Sequence, residues 1–341
     1  MSTLTMHLGR DSYPITVESG ALERVGELFS LRRRVLILTD SGVPAAYART
    51  VAAACAEPHI VTLEPGERNK CPETWLSVLK TMLDADFDRG DAVVAVGGGV
   101  IGDLGGMVAA TYMRGIDFYN LPTTLLAMVD SSVGGKVAVD FGGYKNIIGT
   151  FYQPRAVLAD PQVLSTLDAR QYACGMAEII KMFATSDAAM FARLENGGDR
   201  IPPEELICAA LRIKMAVVEA DEREVGLRRV LNFGHTVGHA VESVGAEQPY
   251  PLLHGECVGI GMLALTEGEV RGRILRLLHR YDLPTAFRCG KDEFRAALAH
   301  DKKAAADGIT TVRVPEIGRF SLQKESLDAI TESCGEVISF R

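Results

Sequence analysis

Glu178, His235 and His254 are the residues of this chain best suited to metal chemistry, and each sits in a motif of its own: GMAEIIK, LNFGHTVGHAVE and HGECVGIGM. A carboxylate with two imidazoles binds a borderline divalent ion and leaves one coordination position open, which marks a catalytic rather than a closed structural site. His235 and His239 stand four residues apart and share one helix face, so at this point either His239 or His254 can complete the set. An imidazole left outside the set suits proton transfer, because its ordinary pKa lies near neutrality. Glu178 and Lys181 also share a face. On a solvated helix that spacing is an ordinary ion pair, but the residues around this one are apolar. His7, His59, His279 and His300 lie in no motif and receive no role.

A second constellation lies upstream. GGGVIGD (residues 97–103) follows the apolar run Ala92 to Val96, placing glycines where a backbone can approach phosphate at the start of a helix. A lone glycine triplet is weak support, since many are only tight turns. PGERNK (residues 65–70) and PTT (residues 122–124) strengthen it, because both follow expected strands on the carboxyl edge of a sheet, where ligands of such folds bind. Asp40 ends its own strand and suits a ribose hydroxyl. In VDSSVGGKVAVD and the following GGYKN, Lys136 and Lys145 lie nine residues apart on one Gly-rich segment. With Lys181, Lys214 and Arg228 they are basic residues in Gly-rich or apolar settings, suited to an anionic substrate.

These groups need a scaffold of two kinds. Up to about residue 160 the chain alternates β-branched runs (Val35 to Thr39, His59 to Leu63, Ala92 to Val96, Phe118 to Pro122) with helical patterns, which predicts an α/β, Rossmann-like parallel-sheet domain over residues 1–168. Beyond Ala169 the period changes to helical, and residues 169–341 read as a mainly α-helical metal- and substrate-binding domain. Gly142 to Pro161 reads as the crossing between them. At 341 residues two domains are expected. Apolar residues make up 47% of the chain with no run long enough for a membrane span, and the net charge of −8 argues against nucleic acid as a partner. The amino terminus lacks a secretory pattern, so the cytoplasm is expected. Seven scattered cysteines without a C-x-x-C pair argue against a disulfide framework or a thiolate zinc site.

The ordered motifs PGERNK, GGGVIGDLGG, YMRGI, PTTLLAMVDSSVGGK, YKNIIGTFYQP, GMAEIIK, ADEREVGLRRVLNFGHTVGHAVE, HGECVGIGM and DKK run through essentially the whole chain, and together they resemble the 3-dehydroquinate synthase family. The resemblance implies a dehydroquinate synthase-like fold, usually a homodimer, with bound NAD and zinc or cobalt. It implies conversion of 3-deoxy-D-arabino-heptulosonate 7-phosphate to 3-dehydroquinate and phosphate in the shikimate pathway to chorismate and the aromatic amino acids. The implied chemistry is oxidation, phosphate elimination, reduction and intramolecular aldol closure. Family metal ligands fall on Glu178, His235 and His254. NAD contacts fall on Asp40, Glu67, Lys70, Gly99, Val100, Ile101, Gly102, Asp103, Thr123, Thr124, Thr166 and Leu167, with Lys136 and Lys145 near both cofactor and substrate. Substrate contacts fall on Asp130, Lys136, Lys145, Asn146, Lys181, Lys214, Arg228, Asn232, His239 and Lys302 or its neighbour Lys303, and Arg114 is expected to reach the partner subunit's phosphate site.

Val137 departs from the threonine common in the family, and the stretch from Gly261 to Pro284 looks shortened. Competing readings are sister sugar-phosphate cyclases, among them aminodehydroquinate synthase, and a metal-dependent polyol dehydrogenase. Asn232, Arg228 and the intact SSVGGK match the dehydroquinate pattern, and the lysine set suits an acidic phosphate better than a neutral polyol.

Overall fold

The computed structural model describes residues 2–246, 248–301 and 308–341. The chain divides into two compact units, Met1–Leu167 with Pro203–Leu211, and Asp168–Pro202 with Arg212–Arg341. The segment Pro203–Leu211, expected in the second half, therefore groups with the first.

In the first unit, strands β1 (Ser2–Met6), β2 (Tyr13–Val17), β3 (Arg34–Asp40), β4 (Glu57–Leu63), β5 (Ala92–Gly97), β6 (Asp117–Pro122) and β9 (Ala156–Ala159) form one seven-stranded sheet. Its order is β1-β2-β9-β6-β5-β3-β4. All neighbours are parallel except β1 with β2. Every residue of β5 is buried, as a continuous apolar run in the middle of a parallel sheet requires, whereas edge strand β4 alternates between exposed and half-buried residues. Helices α1 (Val25–Leu28), α2 (Ala45–Ala54), α3 (Pro72–Asp84) and α4 (Gly99–Thr111) belong to this unit. α4 is the most enclosed, and a Cβ on its Gly106 would run into Val137. Strand order reverses at β3, with β4 on one side and β5 on the other, so the carboxyl ends of β3 and β5 flank the switch point where open α/β sheets bind ligands.

The stretch from Gly142 to Pro161 is not a crossing. It holds the return strand of a hairpin, β7 (Lys136–Phe141) with β8 (Tyr144–Phe151), and then β9, inside the first unit. Gly142 and Gly143 take φ of +61° and +82°, the left-handed pair that a two-residue hairpin turn demands.

The second unit is built on α5 (Ala169–Ser186), α6 (Ala188–Glu195), the last half of α7 (Pro203–Ala220), α8 (His235–Gly245), α9 (His254–Ala264), α10 (Gly268–Arg280), α11 (Lys291–Asp301) and α12 (Leu327–Ser333). Two small sheets accompany the helices, β10 (Phe287–Cys289) with β13 (Ile338–Phe340), and β11 (Ile309–Glu316) with β12 (Arg319–Glu325). α9 is buried from Gly255 to Ala264 and α5 from Ala173 to Thr185, so these two helices are the core of the unit.

Candidate active site

At the carboxyl edge of the sheet, the glycine triplet leaves β5 and opens α4, with Gly98 as the residue before the helix. A Cβ on Gly97 would strike Ile101, one on Gly98 would press on Thr124, and one on Gly99 would stand 3.1 Å from Ser131 Oγ. Ser131 Oγ is buried without a hydrogen-bond partner among the described residues. Close backbone approach, free helix-start amides and an orphaned hydroxyl beside them fit a phosphate-bearing nucleotide. Thr123 is buried, and its N–H donates to Gly97 O at 2.9 Å, pinning the PTT turn to the end of β5. Asp40, at the end of β3, accepts the Gly42 N–H at 2.8 Å, and burial raises its pKa above the usual carboxylate value.

Lys70 is 4% exposed, and its ammonium lies 2.8 Å from Asp103 and 3.6 Å from Glu67. Burial disfavours the charged lysine, but Asp103, Glu67 and Asp140 outweigh it and raise the pKa. The charged network thus ties PGERNK to α4 through Asp103, one turn in from the helix start. Thr166 Oγ1 lies 2.9 Å from Tyr47 Oη, and Leu167 is half-buried. On the hairpin, Lys136, Lys145 and Asn146 are exposed, and Asn146 takes φ of +55° while donating its N–H to Asp140 at 2.7 Å. Arg114 takes φ of +71° next to Met113 at +47°, two strained residues that present an exposed guanidinium.

The metal candidates converge in the second unit. Glu178 is fully buried on α5, and its Oε1 lies 3.7 Å from His235 Nε2 and 3.6 Å from His254 Nε2. Donors around a tetrahedral ion with bonds of about 2.0–2.2 Å stand about 3.3–3.6 Å apart, so this set nearly frames an ion already. His239 joins a looser group, with one ligand atom each of His235, His239 and His254 within 4.8 Å. Its ring centroid is 5.3 Å from that of His235 and 5.8 Å from that of His254. Close helix packing produces the convergence. A Cβ on Gly261 would run into the carbonyl of Gly234, and one on Gly255 into the backbone of Cys174. Arg170, in the first turn of α5, forks onto Glu256 at 2.6 and 2.7 Å, and Glu256 also accepts the Leu253 N–H at 2.7 Å. The start of α9, which carries His254, is thereby fastened to the helix that carries Glu178.

Electrostatics divides the two imidazoles. Burial first, and then Lys181, hold His235 well below its ordinary pKa. Burial also disfavours charge on His254, but Glu178 and Glu242 overcome it and raise its pKa to about 10. Lys181 Nζ lies 2.5 Å from Glu178 with both side chains inaccessible, so a full negative charge is kept inside the unit with a cation beside it. Lys214 and Arg228 are buried as well, at 5% and 3% exposure. Arg228 follows a loop built on Asp221, whose carboxylate accepts the N–H groups of Val225, Gly226 and Arg228 at 2.7–3.0 Å and is held below its ordinary pKa by them. Asn232 donates to Glu224 Oε1 at 2.6 Å, and Glu224 takes φ of +59°. Sequence does not single out Glu224, because DERE reads as a solvated acidic stretch; nor does it single out Glu242, whose signal is its place one turn past His239. Lys302 and Lys303 lie outside the described residues.

The fold and these two constellations define the class: an α/β enzyme with a nucleotide-type sheet edge and a carboxylate–imidazole cluster of the kind that holds a divalent metal. The model of the 3-dehydroquinate synthase N-terminal family matches residues 60–174, and that of its C-terminal family matches residues 175–304. The 3-dehydroquinate synthase of Geobacter metallireducens is 42% identical, with 98% of this chain and 99% of the relative covered. The chain belongs to the 3-dehydroquinate synthase family. Among solved structures it is similar to 2-epi-5-epi-valiolone synthase from Streptomyces hygroscopicus with NAD+ and Zn2+ bound (TM-score 0.85, 29% identity, 98% of this chain and 99% of that one). It is also similar to 2-deoxy-scyllo-inosose synthase complexed with carbaglucose-6-phosphate, NAD+ and Co2+ (TM-score 0.87, 25% identity, 98% and 100%).

Proposed function

We propose that this chain is a 3-dehydroquinate synthase, a carbon–oxygen lyase that converts 3-deoxy-D-arabino-heptulosonate 7-phosphate to 3-dehydroquinate and phosphate in the shikimate pathway, with NAD and a divalent zinc or cobalt ion. The observation that carries the reading is the convergence of Glu178, His235 and His254 in a chain 42% identical over 98% of its length to a 3-dehydroquinate synthase. When bound, the ion supplies Lewis acidity toward a substrate hydroxyl and the dinucleotide supplies a reversible hydride acceptor.

The chain's own residues supply binding, orientation and proton handling. Glu178, His235 and His254 hold the ion. In the second unit Lys181, Lys214 and Arg228 present buried positive charge to the anionic groups of the substrate, where a low dielectric strengthens each contact. Asn232, set by Glu224, fixes a hydroxyl, and His239 holds a proton at its ring nitrogen beside the ion. In the first unit Asp40, Glu67, Lys70, Gly99 to Asp103, Thr123 and Thr124 take the dinucleotide, with further contacts near Thr166 and Leu167. Asp130, in the helical turn Ala127–Ser131, and Lys136, Lys145 and Asn146 on the hairpin are the first unit's candidates for substrate contact. Fixed placement of the reacting groups replaces an entropic cost that solution chemistry would carry. Arg114, presented by strained backbone, serves the partner subunit's phosphate site in a homodimer. Seven free thiols are consistent with a cytoplasmic setting.

The test is a substrate panel. The reading predicts turnover of 3-deoxy-D-arabino-heptulosonate 7-phosphate and none of sedoheptulose 7-phosphate or glucose 6-phosphate; the reverse pattern moves the chain to a sister cyclase.

A further inference from the structure

Glu242 has no part in the site as proposed, yet it reaches one of the imidazoles. It lies seven residues after His235 and three after His239 on α8, so all three share one face of that helix. One helix thus aims two imidazoles and a carboxylate at the first turn of α9. Glu242 Oε2 stands 3.3 Å from His254 Nδ1, and the carboxylate side chain is 15% exposed. An ionised carboxylate only accepts, so the His254 Nδ1–H must donate to it, and the proton that an incoming ion displaces is the one on Nε2, the ring nitrogen on the side of Glu178 Oε1, 3.6 Å away. His235 is oriented the same way by a weaker partner, with its Nδ1 3.2 Å from the carbonyl oxygen of Phe233.

We propose that Glu242 is a positioning residue of the metal centre, fixing the tautomer and ring plane of His254 and strengthening its Nε2 as a donor. The proposal rests on the metal reading above. A full negative charge behind an imidazole raises its basicity more than a carbonyl dipole does, and such outer partners are typically worth about 10–100-fold in metal affinity. The two imidazoles are therefore unequal: His235, backed by a carbonyl, is the weaker donor, and His254, backed by Glu242, the stronger. Residues near an ion that merely fill space do not impose such a difference.

The test is cobalt titration of chelator-stripped full-length protein, followed through the visible d–d absorption and by chelator competition, for wild type, Glu242→Gln and Glu242→Asp. The expected result is affinity about 10–100-fold weaker in Glu242→Gln with an altered d–d band, part of the loss restored in Glu242→Asp, and melting of the stripped protein unchanged. Wild-type affinity with an unaltered band in Glu242→Gln overturns the proposal while leaving the metal reading intact. Absence of cobalt uptake by the wild type overturns the metal reading and this proposal with it. If Glu242→Gln does not accumulate as folded protein, Glu242→Asp carries the test through its shortened reach, and wild-type affinity and band in that variant overturn the proposal.

Discussion

At the scale of single residues the cluster makes distinguishable predictions. His235→Ala removes a donor, so metal affinity falls further than the roughly 10–100-fold typical of a lost outer partner, and turnover falls with it. Lys136→Ala keeps its metal and loses substrate binding, seen as a raised KM with wild-type metal content. Protonation adds a further prediction. His254 has its pKa raised to about 10 while that of His235 is held low, so near neutral pH the metal-free cluster carries one proton that an incoming ion must displace. Metal affinity therefore rises with pH by about a decade per unit until pH approaches that value. Calorimetric titrations in buffers of different ionisation enthalpy should report close to one proton released per metal bound; a buffer-independent heat would contradict it. At this scale sequence was most informative about residue types with few alternative explanations, such as His235, His254 and Glu178 in apolar helices. It was least informative about Glu224 and Glu242, since acidic residues on helices and in loops are ordinary solvated groups until a fold shows what they face.

Among the elements, glycine spacing decides the site as much as the ligands do. Gly255→Ala would push α9 away from Cys174 on α5, destabilising the protein by about 1–3 kcal/mol through overpacking, as read by urea unfolding, and weakening metal binding with it. The loop before α8 has its own control. Asp221→Ala removes the acceptor for three backbone amides and should raise KM for the phosphate substrate, through Arg228 and Asn232, without loss of metal. Because the Asp221 carboxyl is held below its ordinary pKa, the stability it lends is present above the unfolded value of about 3.9 and is lost as pH falls through the lowered one. Strands β3 to β6 were legible because β-branched runs bounded by turns have no competing reading. The β7–β8 hairpin was not. Every residue of β8 is exposed or half-buried, so it shows no alternation of burial, and its glycines read as a loop although Gly142 and Gly143 are a hairpin turn. The β10–β13 sheet of the second unit was likewise hidden, since its strands are three residues each and pair across some fifty positions.

For the whole molecule, binding is linked to stability. A divalent ion held only by the native state at about 100 times its Kd adds about 2.7 kcal/mol, so metal should raise Tm in the wild type and leave Glu178→Gln unmoved. The order of the sheet, with its reversal at β3, follows from connection rules that sequence rhythm only implies, and the change from alternating to helical period near residue 169 gives no sign that Pro203–Leu211 groups with the first unit. The measurement that bears most directly on the account follows phosphate, carbocyclic product and NADH absorbance together, for metal-loaded protein with substoichiometric NAD acting on 3-deoxy-D-arabino-heptulosonate 7-phosphate. Phosphate and 3-dehydroquinate formed in equal amounts over many turnovers, without net NADH, is the predicted result. NADH accumulating in step with substrate consumption, or substrate left untouched, would contradict it.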